Sequence, residues 1–181
     1  GGLFGQRKGP TFRAVDDVSF AIPRGECFGL VGESGCGKTT LSKVIMRALE
    51  PDSGEVLFND RGTMVDVVRA GPEALMRFRR RVQYIFQDPF GSLSPRMTVF
   101  DILREPLVIH EVGDADYRAE MAKELMRLVG LDPRFLNRYP HSFSGGQRQR
   151  IVIARALALK PDLVLCHEPV SALDVSIQAQ I

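Results

Sequence analysis

Apolar residues fall into short runs in the first third of this chain and into helical spacing further on. Residues 18–22, 26–31 and 54–59 are compact apolar runs bounded by Gly, Pro, Asp or Ser, the pattern of β-strands. The run Cys27-Phe28-Gly29-Leu30-Val31 predicts a buried strand. Behind it, Leu41, Val44, Ile45, Ala48 and Leu49 fall on one face of a predicted helix. Residues 81–86 predict another strand, ending at Gln87. Thr98 is placed to cap a helix through Val99, Ile102 and Leu103 that Pro106 interrupts. Residues 117–129 carry Met121, Leu125, Leu128 and Val129 on one face, with Gly130 as the stop. Ser144 caps a predicted helix running to about Leu159. Residues 162–166 form a short, very apolar run, as in a parallel strand covered on both faces.

Between the second strand and the first helix lies Gly32-Glu33-Ser34-Gly35-Cys36-Gly37-Lys38-Thr39, followed by Thr40. This is the pattern of a phosphate-binding loop in its required strand–loop–helix setting. The glycines allow a tight turn whose N–H groups point at phosphate oxygens, and the helix N-terminus adds partial positive charge. Lys38 has the reach for β- and γ-phosphates, and the Thr39 hydroxyl suits Mg²⁺. The pattern predicts bound nucleotide phosphates with Mg²⁺ and by itself leaves kinases, GTPases and many ATPases open.

Composition narrows the class. The 181 residues suffice for one domain with a core, and 44% are hydrophobic. No apolar stretch is long enough to cross a bilayer. A net charge of +2 gives no case for nucleic acid as a partner. Cys27, Cys36 and Cys166 are an odd number without metal-ligand spacing and fit a reducing compartment. Cys36, beside Lys38, is expected to react fastest with alkylating agents, and the other two slowly. Arg77-Phe78-Arg79-Arg80-Arg81 reads as a solvated helix face leading into a strand. The first residue is not Met, and the chain stops inside a helix-like stretch, so a fragment of a longer protein is expected.

Phe143-Ser144-Gly145-Gly146-Gln147 resembles the signature motif of ATP-binding-cassette (ABC) ATPases, usually Leu-Ser-Gly-Gly-Gln. Gln87 matches the family's Q-loop glutamine. Leu163-Val164-Leu165-Cys166-His167-Glu168-Pro169 occupies the Walker B position, and Ser171-Ala172-Leu173-Asp174 resembles the D-loop. The wording of residues 87–97 and 169–176 is closest to the ATPase subunits of bacterial oligopeptide and dipeptide importers, a branch with nickel and glutathione relatives.

The resemblance implies an α/β P-loop NTPase of ABC type: a mixed sheet core, an N-terminal antiparallel β subdomain and a helical insertion. It implies one domain truncated at both ends, with core 11–88 and 151–181 and a helical subdomain over about 89–150. Glu168, Lys38 and Gln87 would be catalytic, Glu168 on the attacking water, with Thr39 and Gln87 holding Mg²⁺. Gly32, Ser34, Gly35, Cys36, Gly37, Lys38, Thr39 and Thr40 would bind nucleotide. Ser144, Gly145, Gly146 and Gln147 would close over the nucleotide of a second ATPase subunit, identical or not, and Asp174 would couple the two sites. The implied setting is peripheral, on the cytoplasmic face of a bacterial inner membrane, against permease subunits.

Three positions depart from the family. His167 replaces an aspartate, and imidazole is a poor partner for a hard, oxygen-preferring cation. Losing such an outer-shell group costs about 10–100-fold in metal affinity or activity. Slow or absent hydrolysis is therefore an alternative expectation, and a soluble cassette outside transport is another. The family's switch histidine lies farther beyond the D-loop than this sequence runs. His110 and His141 are not substitutes and read as surface or packing residues. Ser142 stands where the branch usually has glutamate. Phe4 and Phe12 are the candidates for stacking on adenine.

Overall fold

A computed structural model describes residues 13–86 and 89–166. The chain divides into two compact units, Gly1–Gly54 and Glu55–Ile181.

In the first unit the described regular element is helix α1, Lys38–Ile45. The apolar runs at 18–22 and 26–31, expected as strands, are not strands here. A strand is held by ladder bonds to a neighbour. The backbone bonds within residues 13–36 are turn bonds, such as Glu26 N–H to the Pro23 oxygen at 3.3 Å. The runs meet through side chains instead: Phe20 and Phe28 stack with centroids 5.0 Å apart. Val31, expected in a core, is 93% exposed. Helix α1 also ends earlier than its apolar spacing predicts. Arg47 takes φ +51°, a left-handed conformation that stops the helix before Ala48 and Leu49.

The second unit begins with a hairpin, β1 (Leu57–Asp60) and β2 (Thr63–Asp66), which pair antiparallel. Arg61 and Gly62 both have positive φ, the two-residue turn that matches strand twist, and Asn59 Oδ1 accepts the Gly62 N–H at 2.7 Å. Helix α2 (Pro72–Arg81) runs directly into β3 (Val82–Ile85). The basic run is thus helical, as expected, but not solvated throughout: Phe78 is buried, and Arg81 is ion-paired. Strand β4 (Leu163–Cys166) pairs parallel with β3, Val82 opposite Leu163 and Ile85 opposite Cys166. Its residues are half-buried and Cys166 is exposed, so β4 is not covered on both faces as its composition predicts. Among the described residues its hydrogen-bonded neighbour is β3 alone.

The core lies among the helices. A short helix α3 (Pro89–Ser92) precedes α4 (Val99–Ile109), α5 (Ala115–Leu128) and α6 (Gly145–Leu157), with 3₁₀ turns at Pro133–Phe135 and Pro140–Ser142. Leu103 and Leu107 of α4, Met126 of α5 and Ile151 of α6 are fully buried. Thr98 caps α4 as expected, its side chain accepting from the Asp101 N–H. Pro106 does not end that helix. It is buried in the apolar face, and its carbonyl accepts from the His110 N–H at 3.1 Å. Packing on this face offsets the ladder bond that proline cannot donate. Asp114 caps α5, and Gly130 at φ +69° reverses the chain behind it, where Leu131 N–H bonds the Met126 oxygen at 2.8 Å. No described helix is long and apolar enough to cross a membrane.

Candidate nucleotide-binding site

The loop at 32–39 folds around its own lysine. Lys38 Nζ donates to the carbonyl oxygens of Gly32 at 2.6 Å and Glu33 at 2.8 Å, and lies 3.6 Å from Cys36 Sγ. The ammonium therefore sits across the turn, at the mouth of α1, rather than trailing into solvent. Cys36 N–H bonds the Glu33 oxygen at 3.2 Å and closes the turn, so that amide faces the loop. Gly35 at φ +84° and Gly37 at φ +97° reverse the chain. A β-carbon on Gly37 would lie 2.2 Å from the Ala14 carbonyl oxygen, so this position needs glycine on two counts. A β-carbon on Gly32 would lie 2.5 Å from Cys36 Sγ.

Gly37 is also the N-cap of α1 and offers no side-chain cap. The first turn, Lys38, Thr39 and Thr40, holds no acid. An uncapped N-terminus presents orphan N–H groups and partial positive charge, a setting suited to an anion. Gly32, Ser34, Gly35, Cys36, Gly37, Lys38, Thr39 and Thr40 are thus gathered on one turn. Thr39 is exposed in that first turn. A single hydroxyl beside a phosphate site fits Mg²⁺, which keeps several waters and takes most of its remaining ligands from phosphate. Among the described residues no cluster of three or more His, Cys, Asp or Glu offers a competing cation cage.

Ser144, Gly145, Gly146 and Gln147 form the start of α6 in the second unit. Ser144 Oγ accepts the Gln147 N–H at 3.3 Å, and Gln147 Oε1 accepts the Ser144 N–H at 3.0 Å, a complete capping box. The cap uses an acceptor of the serine, leaving its O–H as a donor. Two glycines in the first turn keep the approach to the backbone open. Arg148 braces this turn: Nε donates to the Phe143 oxygen at 3.0 Å and a terminal nitrogen to the His141 oxygen at 3.3 Å. No periodic pattern marks it, because both acceptors are backbone atoms.

Gln87, Glu168, His167 and Asp174 lie outside the described residues, as do Phe4 and Phe12. Strands β3 and β4, which run parallel, end two residues before Gln87 and Glu168 in the sequence. His110 closes α4, where burial first and the charge of Arg80 second hold its imidazole below the ordinary value. His141 is exposed and stacks on Tyr139 with centroids 5.8 Å apart. Ser142 Oγ donates to the Tyr139 oxygen at 2.8 Å. The cysteines correct the reactivity expectation. Cys27 and Cys166 are exposed, like Cys36, because neither lies in a covered strand.

Comparison with known proteins matches residues 15–171 to a family model described as ABC transporter. The oligopeptide transport ATP-binding protein OppF of Bacillus subtilis is 54% identical over 172 residues, covering 94% of this chain and 55% of that protein. AppF of the same organism, also named for oligopeptide transport, is 50% identical over 181 residues, covering 99% and 54%. The chain spans about half the length of the curated relatives it matches. Among solved structures, the dimeric ATP-binding cassette MJ0796, in a post-hydrolysis state with ADP and Pi, superposes with a TM-score of 0.80. That match has 32% identity and covers 93% of this chain and 71% of the other.

Proposed function

The chain belongs to the ABC transporter family, and from that premise we propose that it is the ATP-binding and ATP-hydrolysing part of an importer for peptides or related small solutes. The observation that carries this reading is the loop geometry: Lys38 held over an uncapped helix N-terminus by the Gly32 and Glu33 carbonyls. The names of OppF and AppF support peptides as cargo.

Phosphoryl transfer to water asks for positioning and charge neutralisation more than covalent help. On nucleotide binding, Lys38 exchanges its carbonyl partners for phosphate oxygens, a stronger charge-assisted contact. The first-turn amides of α1 orient the same phosphates. Thr39 and Gln87 would hold Mg²⁺, which supplies further charge neutralisation when bound. Glu168 would orient the attacking water and take its proton. Ser144 and Gly146 of a second ATPase subunit would close the cage with a hydroxyl and backbone N–H groups, and Asp174 would link the two sites. The assembly would sit against permease subunits on the cytoplasmic face of the inner membrane. His167 supports a second reading, in which nucleotide is bound and hydrolysed slowly.

The test is equilibrium titration with a fluorescent ATP analogue. Lys38→Ala is expected to weaken binding by roughly 1.5–3 kcal/mol, the range for hydrogen bonds to charged groups. Equal affinity in variant and parent would remove the loop as the site.

A further inference from the structure

Arg81 ends α2 at the point where β3 begins. Its side chain, 15% exposed, reaches two acids from separate segments: Asp162 Oδ2 at 3.1 Å and Asp60 Oδ1 at 3.6 Å. Asp60 closes β1, and Asp162 immediately precedes β4. The main chain repeats the contact, because Asp162 N–H donates to the Arg81 carbonyl at 2.7 Å. Backbone and side chain thus fasten the same two residues at the entrance of the parallel pair, and the hairpin end is drawn to the same guanidinium.

This fastening fixes register. Val82 then faces Leu163, and Ile85 faces Cys166. Gln87 follows Ile85 by two residues, and Glu168 follows Cys166 by two. A slip of one residue reverses the faces of a strand and offsets whatever leaves the ladder by about 3.3 Å. β3 and β4 are each only four residues long; burial of Val82 and Ile85 resists a slip of β3, while the half-buried β4 offers less resistance.

We propose that Arg81, with Asp162, is a positioning residue for hydrolysis: it sets the β3–β4 register from which the chain delivers Gln87 and Glu168. This rests on the roles given to those two residues above. Arg81 touches neither nucleotide nor water in this scheme. Both contacts run from Nε, so one charge lies between Asp60 and Asp162, and arginine holds that nitrogen in a rigid plane, which a flexible lysine ammonium does less well.

The experiment uses the protein at its native length with three substitutions, Arg81→Met, Arg81→Lys and Asp162→Asn. ATP turnover, KM for ATP, Mg²⁺ half-saturation, thermal midpoint and amide exchange across β3–β4 are measured. Arg81→Met is expected to lower kcat about ten-fold or more and raise the Mg²⁺ requirement, the scale of lost supporting contacts. KM for ATP stays within about two-fold, since the loop makes the ground-state contacts. Arg81→Lys recovers part of the rate, Asp162→Asn reproduces the loss, and the double variant adds little. Parent-like turnover and Mg²⁺ dependence in Arg81→Met overturn the proposal. So does a joint fall in kcat, ATP affinity and thermal midpoint without rescue by lysine, which marks a merely structural role. If Arg81→Met does not fold, Arg81→Lys decides alone: an intact fold with parent kcat overturns the idea. Amide exchange separates this proposal from the functional reading. A parent without ATP turnover defeats that reading, whereas unchanged β3–β4 protection in both Arg81 variants defeats the register claim by itself.

Discussion

Ser144 and Gln147 hold each other at the start of α6, each side chain accepting from the other's backbone N–H, at 3.3 Å and 3.0 Å. The exchange satisfies two orphan donors in the motif that would meet a second subunit's nucleotide, and fixes the direction in which α6 presents its first turn.

Ser144→Ala should therefore lose both a cap and a donor. Chemical unfolding should show a loss of about 1 kcal/mol, the usual worth of an N-cap serine. ATP turnover should fall while ATP binding stays near that of the parent, because the loop is untouched. Parent-like stability would mean that the reciprocal bonds contribute nothing in solution.

Gly37→Ala should damage the loop more than Gly35→Ala. Both glycines have positive φ, which costs a non-glycine residue about 1–2 kcal/mol. Only at Gly37 does the new β-carbon also meet backbone, 2.2 Å from the Ala14 oxygen, while Gly35 faces open space. Nucleotide titration of the two variants checks the order, and a Gly35→Ala defect equal to that of Gly37→Ala would contradict it.

All three cysteines should alkylate, since all are exposed, but ATP should protect Cys36 alone. Cys36 Sγ lies 3.6 Å from the ammonium that turns to phosphate, and Cys27 and Cys166 lie outside the loop. Mass spectrometry after alkylation with and without ATP reads this directly. Unprotected Cys36, or equal protection at all three, is the contrary result.

What the sequence makes legible is local chemistry. The loop, the Thr98 and Ser144 caps and the Gly130 stop depend on residues within a few positions of one another, and the structure has them where the pattern places them. The failures are of longer reach. Residues 27–31 have strand composition, but composition does not supply a ladder partner, and here they are exposed. The turn Arg61-Gly62 carries weaker hairpin chemistry than Asn-Gly, so the pattern alone does not mark β2. Arg81 stood in a run of four arginines, and only the fold shows which of them meets Asp60 and Asp162. At Pro106 the missing N–H suggests a break, whereas its burial on α4 decides the outcome.

On the proposed function, this chain holds ATP on its own loop and needs the Ser144 turn of a second subunit to hydrolyse it. Phosphate release measured across a protein dilution series tests both halves in one experiment. The rate per chain should fall on dilution, with no turnover in Ser144→Arg at any concentration, although that variant still binds the ATP analogue. A rate per chain that stays constant down to concentrations where the protein is monomeric would contradict it.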